Sequence, residues 1–254
     1  MTRIIAVANQ KGGVGKTTTA VNIAASLASE KHPVLLIDLD PQGNATSGLG
    51  LVKEAAVTSY EVLRGDARLE QGVAQTRIDG LFVLAANPNL AAAEIDLVGM
   101  DKREFRLQQA LQNAVYDYII IDCPPALGLL TINALTAATD VLIPVQTEYY
   151  ALEGLGQLLG TVQRVREATN PRLDLLGVVL TMYDKRTSLS EQVKKEIETH
   201  FGDKLFASVV PRNIRLAESP SYGKTIFEHD KWSKGARAYK NVAKEVQKRV
   251  GGRT

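Results

Sequence analysis

A single cysteine, Cys123, occurs in 254 residues. That excludes an internal disulfide framework and an all-cysteine zinc site. It also excludes an iron–sulfur cluster shared between two copies wherever each copy must supply two thiolates. A charge imbalance is lacking too: 30 Lys and Arg stand against 28 Asp and Glu, for a net charge of +2. Any nucleic-acid binding must then come from a local patch, not from the field of the whole molecule. No uninterrupted apolar run reaches membrane-spanning length. The charged stretch and apolar core of a secretory leader are also missing. A cytoplasmic location is the expectation. No internal repeat, low-complexity tract or Pro/Ser-rich linker divides the chain.

What is present is an ordinary globular composition, 45% hydrophobic and 23% charged. The length suffices for one large α/β domain with a substantial core. Apolar runs at Arg3–Asn9, Pro33–Asp40, Leu81–Ala85, Tyr118–Asp122, Val141–Val145, Leu175–Thr181 and Phe206–Val210 read as strands. Most lack polar/apolar alternation, as strands buried on both faces of a parallel sheet do. Helix-like stretches lie between them, including Arg103–Val115, Leu127–Ala138, Leu152–Ala168, Leu189–Phe201 and Ala236–Val250. The alternation predicts a doubly wound, mostly parallel sheet with helices on both faces, with ligands beyond the carboxyl ends of its strands. The first strand begins at residue 3, so a single domain over 1–254 is expected, with no separate N-terminal DNA-binding domain. Gly48–Gly80 is the least regular part, and short helices and loops are expected there.

The most informative stretch is Lys11-Gly12-Gly13-Val14-Gly15-Lys16-Thr17-Thr18. It follows an apolar strand and opens a helix-compatible run, the context that separates a phosphate-binding loop from an ordinary glycine turn. Glycines let successive N–H groups point into one concavity, and the helix adds its unpaired N–H groups and dipole. Lys16 neutralises phosphate oxygens, and the Thr17 hydroxyl is placed to bind Mg2+. The loop departs from the usual pattern: Gln10 stands where a glycine is standard, and a second lysine, Lys11, follows it. Lys11 is crowded away from its own phosphates and is better placed to project toward a nucleotide held by a facing copy. A solvated surface lysine is the plainer alternative.

Two further strands end in carboxylates. Val34 to Asp40 leads into Pro41-Gln42-Gly43-Asn44. Asp40 either caps a turn before Pro41 or orients a water for attack on the terminal phosphate. The phosphate loop upstream favours the second reading, and Asp38 is then a contributor to the magnesium shell. Tyr118-Ile119-Ile120-Ile121-Asp122 ends in a candidate magnesium residue, acting through water or Thr17. Pro124–Gly128 follows as a candidate switch segment that senses the terminal phosphate. Cys123 reads as a small buried packing residue.

Together the deviant loop, the Asp-Pro-Gln-Gly-Asn run and the Asp122 strand resemble the ParA/MinD family, most closely the chromosomal ParA proteins of the Soj type. The resemblance extends through Leu129–Leu135, Val145–Gly154 and Leu180–Thr187. It implies an ATPase using ATP and Mg2+, in which Lys11 acts across a nucleotide-sandwich homodimer. Gly12 would lie where the two backbones approach too closely for a side chain. Pro211 and Asn213 would read the adenine, and Arg186 and Arg215 would bind double-stranded DNA without sequence preference. A centromere-binding partner of the ParB type would stimulate an otherwise slow hydrolysis, and the protein would be nucleoid-associated.

Three alternatives stay open: a MinD-like ATPase cycling on a membrane, a ParA-like positioner of a protein cargo on the nucleoid, and a metabolic enzyme that consumes ATP. The C-terminal stripe Tyr239, Val242, Val246 and Val250 has helical spacing but is mostly valine. That suits packing onto the protein's own sheet better than membrane binding, and no membrane partner is expected.

Overall fold

The computed structural model describes residues 2–52, 55–148 and 151–252. Among these residues, apolar runs form seven strands of one sheet: β1 (Arg3–Val7), β2 (Val34–Asp38), β3 (Val73–Gln75), β4 (Leu81–Leu84), β5 (Tyr118–Asp122), β6 (Asp140–Gln146) and β7 (Asp174–Thr181). Their order is β3-β4-β2-β5-β1-β6-β7. Only β3 runs antiparallel to its neighbour. The principal helices are α1 (Lys16–Leu27), α2 (Leu129–Ala137), α3 (Ala151–Ala168), α4 (Ser188–Phe201), α5 (Ile214–Glu218) and α6 (Lys234–Gly251).

The expected doubly wound architecture holds, and the core shows why polarity did not alternate. Ile5, Val7, Val34, Leu36 and Ile120 pack with α1 and α6 residues such as Ile23, Tyr239 and Val246. The alternate positions Ala6, Leu35, Ile37, Ile119 and Ile121 pack with Leu130 of α2, Leu158 of α3 and Ile197 of α4. Successive side chains thus enter two separate apolar layers, and both must be hydrophobic. Tyr239, Val242, Val246 and Val250 are all buried in the first layer.

Several predicted elements differ from what the chain adopts. Phe206–Val210 is not a strand. Phe206 N–H and Val210 N–H do reach Val178 and Leu180 of β7, each at 2.8 Å. Between them, however, Ala207 N–H and Ser208 N–H donate to the Glu245 carboxylate, both at 3.0 Å. An α6 side chain thereby satisfies the backbone that a ladder would have used. The irregular Gly48–Gly80 segment contains the edge strand β3, whose three residues Val-Ala-Gln carry almost no pattern. Arg103–Val115 is helical only as a 3₁₀ turn, Arg103–Phe105, followed by Arg106–Ala110. α2 starts at Leu129 and not at Leu127, because Glu94 accepts from Leu129 N–H at 2.8 Å and Leu130 N–H at 3.2 Å. Tyr149 and Tyr150 of the Val145–Gly154 motif lie outside the described residues.

Candidate nucleotide site

The phosphate loop joins β1 to α1 at the carboxyl edge of the sheet. Gly13 and Gly15 hold φ of 75° and 85°, left-handed values that a side chain would strain. Other elements pin the loop. Thr181 Oγ1 at the end of β7 donates to Val14 O at 2.7 Å. Asn9 Nδ2 donates to Pro144 O at 2.7 Å, and its Oδ1 accepts Lys11 N–H at 3.0 Å. Lys16 Nζ curls back to Lys11 O at 2.9 Å and is only 6% exposed. Burial lowers its pKa, while Asp122, Cys123 and Asp40 act in the opposite direction. Thr17 and Thr18 occupy the first turn of α1 beside this ammonium.

Sheet register supplies the carboxylates. Asp38 and Asp122 are paired across β2 and β5 at the strand tips, and both are fully buried. Burial raises both carboxyl pKa values, and their mutual repulsion with the nearby Asp40 adds to this. The two are not equivalent. Asp38 Oδ1 accepts Asp40 N–H at 3.1 Å, and Oδ2 accepts Thr46 N–H at 2.8 Å and Thr46 Oγ1–H at 2.7 Å. Its first task is to hold the Asp40–Thr46 turn. Asp122 is stabilised by the neighbouring Thr17 hydroxyl, yet neither of its oxygens has a well-formed hydrogen bond. A buried carboxylate left this way is costly unless a cation completes it. Hard oxygen donors on Asp122 and Thr17 fit Mg2+ in that role, with Asp38 behind them.

Asp40 is nearly buried, at 7% exposure, and Oδ1 accepts Gln42 N–H at 3.0 Å. It is therefore a turn-forming residue and, at the same time, a carboxylate beside Lys16. Cys123 is buried next to Asp122, and desolvation pushes its thiol pKa well up, as expected of an unreactive packing residue.

A cavity of about 250 Å³ opens beside the loop, lined by Gly15, Thr18, Met182, Pro211, Asn213 and Tyr239 among others. It brings the two predicted adenine residues next to the phosphate loop. Asn213 Oδ1 accepts Leu216 N–H at 3.3 Å and caps α5, so its NH2 remains as a donor. Met182 has φ 49°, a left-handed value rare for a side-chain-bearing residue, where the chain turns into the cavity wall. Sequence reasoning missed Met182, Thr181 and Tyr239. Their signal lies 160 residues or more away in the chain, in contacts such as Thr181 with Val14 and Tyr239 Oη with Thr19 Oγ1 at 3.0 Å.

Lys11 does not project outward in the single chain. Its ammonium pairs with Glu148, which Gln146 also contacts. Glu148 was likewise missed. Both Lys11 and Glu148 side chains are near 40–46% exposed, so the pair contributes about 0–1 kcal/mol and exchanges readily for another partner.

Arg186 sits on the loop after β7 and Arg215 in α5; the segments that lead to them are joined by the Tyr183–Pro211 bridge and by Arg212 N–H donating to Tyr183 O at 3.3 Å. Arg186 is 85% exposed and grips Asp184 with two nitrogens at 2.9 and 2.7 Å, holding that carboxyl at about 2. Arg215 reaches Glu218 at 3.0 Å and Asp230 at 3.7 Å.

A glycine cradle opening a helix, a buried lysine and paired strand-tip carboxylates define a phosphate-loop nucleotide fold. The family profile described as an AAA domain matches residues 2–175. Chromosome partitioning protein ParA of Caulobacter vibrioides is 50% identical over 96% of this chain and 93% of its own. Chromosome-partitioning ATPase Soj of Thermus thermophilus is 52% identical over 98% of this chain and 96% of its own. Among solved structures, cobyrinic acid a,c-diamide synthase from Mycobacterium smegmatis, with bound ATP analog and magnesium, superposes with a TM-score of 0.86. It is 41% identical and covers 100% of this chain and 98% of its own. The chain belongs to the ParA/Soj family of partitioning proteins.

Proposed function

We propose that this chain is an ATP-dependent DNA-segregation ATPase. ATP and Mg2+ bring two copies face to face, with Lys11 of each exchanging Glu148 for the other's phosphates. The dimer binds duplex DNA without sequence preference through Arg186 and Arg215. Lys16 and the loop N–H groups bind the phosphates, and Pro211 and Asn213 flank the base. Thr17 and Asp122 would hold Mg2+, with Asp38 through water; the ion would neutralise phosphate charge. Asp40 orients the attacking water, hydrolysis separates the dimer, and DNA is released. A ParB-type partner accelerates that step, and turnover is slow without it. The protein is cytoplasmic and nucleoid-associated in this reading, and residues 1–254 act as a single ATPase domain.

The observation that carries this reading is near full-length identity of about half to curated partitioning proteins, on a chain whose phosphate loop is intact. Identity to the solved synthase is lower, at 41%. That ranking favours partition over a metabolic ATP-using role. Against the membrane reading, the apolar stripe of α6 is already buried in the core. Withdrawing those side chains would cost on the order of 1.5–3 kcal/mol each. No described helix is long and apolar enough to cross a membrane. A protein cargo positioned on the nucleoid would use the same ATP and DNA steps.

DNA retention with ATP, ADP or no nucleotide, across a salt series and beside a liposome pelleting control, tests the proposal. Retention only with ATP, falling steeply with salt, supports it. ATP-dependent liposome binding without DNA retention refutes it in favour of the membrane alternative. In the same assay Arg215→Glu is expected to lose at least about tenfold in DNA affinity while still dimerising with ATP. Retained binding in both Arg215→Glu and Arg186→Glu would falsify the arginine patch.

Gly12 offers a cleaner test of the dimer than most interface residues. A Cβ built there meets nothing within 4 Å in the single chain. Gly12→Val should therefore fold and bind ATP as wild type, yet sediment as a monomer. An ATP-dependent dimer of normal affinity would remove the close-approach argument.

A further inference from the structure

We propose that Trp232 contacts duplex DNA beside Arg215, adding an apolar component of affinity that salt does not screen. The inference rests on the DNA reading above and extends it from a cationic surface to a mixed one.

Trp232 is the one tryptophan of the chain and is 79% exposed. A lone exposed apolar residue needs no explanation, but this one has an anchored backbone, and two more large exposed apolar residues stand in the same stretch of chain. Ile214 is 71% exposed and Tyr222 is 66% exposed. Asp230 ties the Trp232 backbone to the predicted DNA arginine: its Oδ2 pairs with Arg215 Nε at 3.7 Å, while its Oδ1 accepts the Trp232 main-chain N–H at 3.2 Å. Ser233 closes the turn by donating from its N–H to Asp230 O at 3.1 Å, and its hydroxyl then caps α6. The Lys231 ammonium lies 5.3 Å from the indole centroid.

The surroundings select a polyanion. Between Pro211 and Arg237 the basic residues are Arg212, Arg215, Lys224, Lys231, Lys234 and Arg237, against Glu218, Glu228 and Asp230. All three acids are already engaged: Glu218 and Asp230 by Arg215, and Glu228 by Arg77. Lys224, Lys231, Lys234 and Arg237 are exposed and form no ion pair among the described residues. A flat exposed indole on an anchored turn, among unpaired cations, matches a groove wall of duplex DNA, where an apolar side chain packs against sugars or wedges at a base step while cations meet phosphate. A lipid surface would require a broad apolar face, and the neighbouring helix α6 has buried its own.

Because this tryptophan is unique, its fluorescence reports the site directly. The full chain is titrated with mixed-sequence duplex DNA in ATP and Mg2+, with anionic vesicles as a parallel arm. The indole emission should change on adding DNA, and not on adding ATP alone. Trp232→Ala should bind DNA about five- to tenfold more weakly, as loss of an aromatic contact does. Its slope of log K against log salt should match wild type, whereas Arg215→Glu lowers the slope by about one. Trp232→Tyr should recover part of the loss, and ATP affinity should be unchanged in both Trp232 variants. If wild type retains DNA but neither emission nor Trp232→Ala affinity changes, the inference fails and the DNA reading survives. If wild type never retains DNA, both fail together. An emission change with ATP alone would assign this face to a second copy, and one with vesicles but not DNA would assign it to a membrane; either overturns the proposal.

Discussion

Asp40→Ala lowers the rate of phosphate release by about 10²- to 10⁴-fold while leaving ATP binding close to wild type. The size follows from removing a general base or water-orienting group from the terminal phosphate. Binding survives because Asp40 contributes no attraction to the nucleotide. It adds negative charge to the Asp38–Asp122 pair, so its loss eases their ionisation. The structure adds a confounding role: Asp40 Oδ1 also accepts Gln42 N–H at 3.0 Å. Alanine therefore costs about 1 kcal/mol of local stability as well. Asp40→Asn separates the two roles, because the amide oxygen still accepts Gln42 N–H but cannot take a proton. Single-turnover phosphate release and nucleotide affinity, measured on both variants, check this. Normal release by Asp40→Asn would leave Asp40 as a turn residue only.

Lys16→Ala weakens ATP binding by about a hundredfold or more. Charge-assisted hydrogen bonds from an ammonium to phosphate contribute roughly 1.5–3 kcal/mol, and the site is shielded from solvent. Lys16 Nζ is already aimed into the loop, bonded to Lys11 O at 2.9 Å, so little ordering is needed when phosphate arrives. The substitution also removes a buried cation that stabilises Asp122 in its charged form. Asp122 should then hold its proton more tightly, and Mg2+ affinity should fall along with ATP affinity. Calorimetry with ATP, with and without Mg2+, measures both losses, and a thermal melt confirms folding. Wild-type ATP affinity in this variant would mean that the cradle is not the phosphate site.

Much of the candidate site is legible in the sequence. The phosphate loop is local: strand, glycines, lysine and helix follow one another within a few turns of chain. The apolar runs that lead into Asp38–Asp40 and into Asp122 are visible because such a run terminated by carboxylates is conspicuous, although β2 itself stops at Asp38 and Asp40 lies in the turn beyond it. Resemblance supplied Pro211, Asn213, Arg186 and Arg215, which residue patterns alone show only as a turn and as exposed charge. The structure joins the segments that carry the two arginines through the Tyr183–Pro211 bridge, and Pro211 and Asn213 border a cavity beside the loop. The division of labour between Asp38 and Asp122 was not legible. Both end apolar strands, and only the Thr46 hydrogen bonds distinguish them.

The chain's order of apolar runs, glycines and acidic tips determined by itself the doubly wound class and the place of the phosphate loop, because period, turn chemistry and capping act between near neighbours. Only the tertiary structure decided that Phe206–Val210 gives its central amides to Glu245, that Glu94 sets the start of α2, and that Lys11 rests on Glu148. Each of these choices is a polar group taking the best available partner in the folded chain. Such partners lie 35 to 137 residues away and leave no periodic trace in the sequence.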